Sequence, residues 1–113
     1  MLEGIRVLDL SADPAGAFAT RLMALYGATV TLVEPPRGNA LRWWGARTGG
    51  GVEDGFVFAH LASGKRSVVI DLARADDRAR VADLARTDDV VVETGDSIER
   101  AAPGLDLARL RTE

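Results

Sequence analysis

Apolar and polar positions change period several times along this chain, and each change predicts an element. Residues 5–10, Ile-Arg-Val-Leu-Asp-Leu, are a short apolar run stopping at Ser11-Ala12-Asp13-Pro14, the pattern of a buried strand entering a turn. From Ala15 to Tyr26 the residues Phe18, Leu22, Leu25 and Tyr26 recur at helical spacing and Gly27 follows. That predicts a helix with one apolar stripe, the side a helix turns to a core. Thr29 to Val33 is a β-branched strand stopped by Pro35-Pro36. A helical crossover between two apolar strands favours parallel pairing with a right-handed connection.

The alternation continues. Residues 37–55 hold six glycines and two adjacent tryptophans with few periodic apolar positions, which predicts a long mobile loop or lid. Phe56 to Ala62 fits a short helix, Ser67 to Leu72 a third strand, and Asp76 to Ala85 a helix turning Val81, Leu84 and Ala85 inward. Asp89 to Glu93 is an unbroken apolar run, as in a strand covered on both faces. Short helices are expected near Ser97–Ala101 and from Asp106. Four strands alternating with helices predict an α/β fold, the four-stranded parallel half of a doubly wound sheet in the order 3-2-1-4. With nothing pairing beyond the fourth strand, Val90–Val92 would be an open apolar edge. The reading is that another chain covers it or that this polypeptide belongs to something longer.

Size and charge narrow the classes. A chain of 113 residues, 47% hydrophobic and of formal charge −3, is enough for one core, so residues 1–113 are expected to form a single domain. Without cysteine there is no disulfide framework, thiolate metal site or thiol nucleophile. The cytoplasm is the default location, no export signal or membrane span is expected, and the acidity argues against nucleic acid as a partner.

Ligands of such sheets bind beyond the carboxyl ends of the strands, where strand order reverses. The loop Ser11 to Gly16 leads into a helix N-terminus suited to phosphate, but the G-x-G-x-x-G fingerprint is absent. Glu34 stands where a ribose-binding acid would, or is a solvated strand end. Ser63-Gly64-Lys65-Arg66-Ser67 fails the P-loop pattern, yet Lys65, the only lysine, and Arg66 could grip a phosphate or merely face water. His60 has no partner at ligand spacing, so no metal is expected. Trp43 and Trp44 read best as packing the loop onto the body, and no hydrolase triad is present. Asp9, Asp71 and Glu93 lie at strand ends, where they cap, bind ligand or face water.

Four blocks, Leu2-x-Gly4-Ile-Arg-Val-Leu-Asp9-Leu, Leu25-x-Gly27-Ala28-x-Val30-x-x-Val33-Glu34-Pro35-Pro36-x-Gly38, Gly64-Lys65-Arg66-Ser67-Val68-x-x-Asp71-Leu72 and Asp89-Val-Val-Val-Glu93, resemble in register the amino-terminal region of family III CoA-transferases. That family includes formyl-CoA transferase, carnitine CoA-transferases, the bile-acid-inducible F protein and α-methylacyl-CoA racemase. The resemblance implies a Rossmann-like domain holding the adenosine diphosphate end of coenzyme A, within a longer protein forming an interlocked dimer. It implies CoA or acyl-CoA as ligand, and a homo-oligomer or association with the rest of a larger transferase. It places CoA contacts at Asp13, Pro14 and Ala15, at Lys65 and Arg66, and at Thr94 and Gly95. Transferases of the family use an aspartate that attacks the acyl-CoA, so that CoA passes through an enzyme thioester to a second carboxylate. The racemase branch instead exchanges an α-proton. By the family's layout that aspartate lies beyond Glu113, so no catalytic residue is assigned here and this segment alone is expected to be inactive. A non-catalytic relative that pairs through its open strand edge is the other class of reading.

Overall fold

The computed structural model of the chain describes residues 1–44 and 55–94. Its strands are β1 (Arg6–Leu10), β2 (Thr29–Glu34), β3 (Arg66–Val69) and β4 (Val90–Glu93). Between them lie α1 (Pro14–Leu25), a single 3-10 turn (Ala40–Trp43), α2 (Phe56–Ala62) and α3 (Ala75–Thr87). All strand pairs are parallel and the order is β3-β2-β1-β4, as the alternation predicts. The short helix falls on the predicted residues, and β3 ends three residues before the predicted boundary. The helices predicted near 97–101 and from Asp106, and much of the glycine-rich loop, lie outside the described residues.

Strand alternation sorts the core. Leu8 and Leu10 of β1, with Ile70, pack on Val81 and Ala85 of α3. Val7, Val30 and Leu32 face the opposite way, towards α1 and α2. Helices on both faces explain why the strands are near-continuous apolar runs. At the sheet's edge, Val90 to Val92 are half-buried, and among the described residues β4 pairs with β1 alone.

One expectation is reversed. The stripe Phe18, Leu22, Leu25 and Tyr26 lies outward, 39–62% exposed, while α1 buries Gly16, Ala17 and Thr20. The reason is proximity: a β-carbon built on Gly16 would stand 2.5 Å from Ser11 Cβ and 2.8 Å from Thr94 Cγ2. Only the helix's small side fits so close to the sheet. No helix among the described residues is long and apolar enough to cross a membrane.

Candidate functional site

Two buried carboxylates organise the carboxyl end of the sheet. Asp9, on β1, is fully buried. Its Oδ1 accepts from the Ser11 N–H (2.9 Å) and hydroxyl (2.5 Å), and its Oδ2 from the Thr20 hydroxyl (2.6 Å) and Lys65 Nζ (3.0 Å). Lys65 also donates to the Ala17 carbonyl at 3.0 Å, and its side chain is 2% exposed. The ion pair therefore ties the loop after β1, the first turns of α1 and the start of β3 into one unit. Charges this deep are tolerated because each is paired and hydrogen-bonded.

Glu34, closing β2, is the second. Arg42 grips it with a fork, Nε to Oε1 at 2.7 Å and Nη2 to Oε2 at 2.8 Å. The Asn39 N–H adds a bond to Oε1 at 2.8 Å, and the Ser67 hydroxyl donates to Oε2. The Arg42 hydrogen bonds, outweighing desolvation and helped by Ser67 and Asn39, hold the Glu34 carboxyl down at about 2. Arg42 also stacks on Phe58, its guanidinium carbon 4.1 Å from the ring centroid. Asn39 reaches the other way, its side-chain amide donating to the Ser11 carbonyl at 2.9 Å. Glu34 is thus neither a solvated strand end nor an open acceptor, because the loop behind β2 folds back over it.

Beyond the ends of β1, β2 and β3 lies a cavity of about 550 Å³, within the range of small-molecule pockets. Leu10, Val33 and Ile70 contribute apolar lining, residues 35–40 with Trp43 one wall and Asp71–Ala73 another, with Ser11 and Ala12 at the β1 side. Its polar groups have a specific arrangement. Asp71 Oδ1 accepts from the Ala73 N–H at 3.0 Å, while Oδ2 and the adjacent Leu72 N–H have no partner among the described residues. An open carboxylate acceptor thus stands beside an open backbone donor on an apolar surface.

The residues predicted as CoA contacts fall into two groups. Asp13 caps α1, its Oδ1 accepting from the Gly16 N–H at 2.8 Å. Pro14 has no N–H and that of Ala17 bonds the Asp13 carbonyl, which leaves the Ala15 N–H as the open donor of that turn. Thr94 joins this group, its hydroxyl oxygen accepting from the Ala12 N–H at 3.2 Å. Gly95 lies outside the described residues. Arg66 opens β3 and Lys65 directly precedes it. Arg66 is exposed, whereas the Lys65 ammonium is buried and donates to Asp9 and to the Ala17 carbonyl. None of these described residues lines the cavity, although Ala12 joins it to the Asp13 turn. Sequence alone does not bring the cavity walls together, because the 37–55 stretch has no periodicity and nothing near Asp71 in sequence marks it as facing that loop. Trp43 and Trp44 are 58% and 49% exposed, with Trp43 on the cavity wall, which corrects the expectation that both pack inward. His60 is exposed, and no group of three or more metal-ligating side chains occurs among the described residues.

The model for CoA-transferase family III matches residues 2–113. The chain is 38% identical over 115 residues to a succinate–glutarate CoA-transferase of Agrobacterium fabrum, covering 97% of this chain and 29% of that protein. It is 35% identical to an acyl-CoA transferase of Fusarium pseudograminearum, covering 96% of this chain and 26% of that one. Among solved structures, a hypothetical protein of Mycobacterium tuberculosis superposes with a TM-score of 0.79 at 32% identity, over 97% of this chain and 29% of the other. A CaiB/BaiF family protein of Brucella suis gives 0.73 at 27%, over 90% and 31%. The chain therefore spans less than a third of the length of each. The strand order, the buried pattern along each strand and these likenesses agree: this chain belongs to CoA-transferase family III.

Proposed function

We propose that this chain, acting as a single domain, supplies the nucleotide-binding part of an enzyme that moves CoA from an acyl-CoA donor to a carboxylic acid acceptor. The observation that carries the reading is the cavity with its Asp71 Oδ2 and Leu72 N–H. Adenine presents an amino donor beside a ring-nitrogen acceptor, the complement of that pair, and its faces suit the apolar lining. The diphosphate would then run over Ser11 and Ala12 to the turn at Asp13, Pro14 and Ala15, with Thr94 and Gly95 beyond. In this reading Lys65 holds that turn from beneath through Asp9, and Arg66 remains a surface cation.

This chain's residues bind and orient. Asp9 and Glu34 are saturated by donors and Asp71 is assigned to the base, so we assign none of these three as the carboxylate nucleophile an acyl exchange needs. Calorimetric titration with CoA and with pantetheine tests the reading. CoA binds and pantetheine does not, and Asp71→Ala weakens CoA about tenfold, the worth of one good hydrogen bond to a charged group. Absence of heat at millimolar CoA refutes it.

The outward apolar face of α1 and the single partner of β4 among the described residues favour a second reading, a module that associates with another copy or a larger body. Light scattering separates the two, since a chain that stays monomeric at high concentration and binds CoA supports only the first.

A further inference from the structure

In doubly wound sheets that hold dinucleotides, an acid closing the second strand accepts hydrogen bonds from a ribose diol. Glu34 occupies that place, but both oxygens are filled from within, Oε1 by Asn39 and Arg42 and Oε2 by Arg42 and Ser67. The carboxylate also lies directly behind the cavity surface. Gly38 lines the cavity with φ +86, and a β-carbon there would be 3.8 Å from Glu34 Oε1 and 2.8 Å from Arg42 Cδ. A side chain at that position would push on the fork, so glycine lets the wall close over it. Arg37, exposed on the same wall, forms no ion pair among the described residues.

Resting on the CoA reading above, we propose that Arg42 is a specificity-determining residue. By saturating and neutralising Glu34 it removes the diol acceptor and the negative charge from the ribose side of the cavity, so the site admits an adenine nucleotide whose ribose carries a phosphate. Without the guanidinium, an anion would stand behind a glycine wall a few ångströms from that phosphate. With Arg42 in place, the net charge on this wall is that of Arg37. The discrimination is one of charge, since the fork leaves Glu34 no acceptor with which to count hydroxyls.

Calorimetric titration of the chain with CoA and with dephospho-CoA, which differ only in the ribose phosphate, tests this. The wild-type chain binds CoA at least as tightly as dephospho-CoA. Arg42→Met lowers CoA affinity about tenfold more than dephospho-CoA affinity, the scale of one charge repulsion at partial screening. The double variant Glu34→Gln/Arg42→Met restores the ratio to within about threefold of wild type, because no bare carboxylate remains. Equal losses for both ligands in folded Arg42→Met, judged by circular dichroism, overturn the inference and leave Arg42 a wall support only. Should that variant not fold, Glu34→Gln with Arg42 kept decides: it removes the anion and leaves the guanidinium, so CoA affinity rises relative to dephospho-CoA, and an unchanged ratio overturns the inference. If neither ligand binds the wild-type chain, the nucleotide reading fails. If both bind and Arg42→Met leaves their ratio unchanged, only this inference fails.

Discussion

Replacing Lys65 with methionine removes one charge of a buried pair and keeps most of the aliphatic stem. Asp9 then remains fully buried with three donors, the Ser11 N–H and hydroxyl and the Thr20 hydroxyl, and without a counter-charge. Breaking a buried ion pair from one side costs about 3–5 kcal/mol, and the three surviving donors put this case near 3. Domains of this size have about 5–15 kcal/mol of stability in all, so the loss is a large fraction of it and lowers Tm by roughly 12 °C. Urea unfolding followed by circular dichroism measures it, with Arg66→Met as the neighbouring control. That exposed cation should change stability by less than about 0.5 kcal/mol. Asp9→Asn/Lys65→Met, which leaves no orphaned charge and keeps an amide oxygen to accept from the Ser11 donors, should recover part of the loss. A Lys65→Met midpoint indistinguishable from that of Arg66→Met would refute the claim that the two adjacent cations do different work.

Glu34 makes the fold acid-sensitive. The Arg42 fork holds the Glu34 pKa in the folded chain at about 2, well below the ordinary glutamate value, so the unfolded chain binds the proton more readily. About 3 kcal/mol of stability is therefore complete above pH 4.5 and disappears as pH falls through 2; an acid titration of ellipticity should show this arm flattened in Glu34→Gln. Gly16→Ala should cost about 1–3 kcal/mol by forcing α1 off Ser11 and Thr94, seen as a lower urea midpoint; an unchanged midpoint would mean the helix is not packed as closely as described. Leu25→Gln, on the outward face of α1, should alter stability by less than about 0.5 kcal/mol while reducing self-association in sedimentation velocity.

The strand order was legible because strands and helices alternate and the central strand β1 is buried on both faces, a pattern with few topological solutions. The orientation of α1 was not. Its sequence Pro-Ala-Gly-Ala-Phe-Ala-Thr-Arg-Leu-Met-Ala-Leu has a bulky stripe and a small one, and periodicity alone reports the bulky stripe. What decides is how near the helix must lie to Ser11 and Thr94, a distance no local pattern encodes. Lys65 and Arg66 look alike in sequence for a similar reason: only the tertiary fold carries one to Asp9 and the Ala17 carbonyl of α1 and leaves the other at the surface. The cavity depends on loops separated by tens of residues, and the Arg42 fork on a loop that doubles back across β2, so neither had a signature in sequence.

The central strand has its own consequence for how the chain is made. Of the four described strands β1 is synthesised before the others, yet one of its neighbours, β4, follows the other three, with Arg6 donating its N–H to an aspartate 83 positions later. At roughly 5–20 residues per second, several seconds separate the two on the ribosome. Throughout that interval one flank of the nascent ribbon has nothing to pair with, which makes it a natural target for a holding chaperone and the place where slowed translation would first divert the product into aggregates.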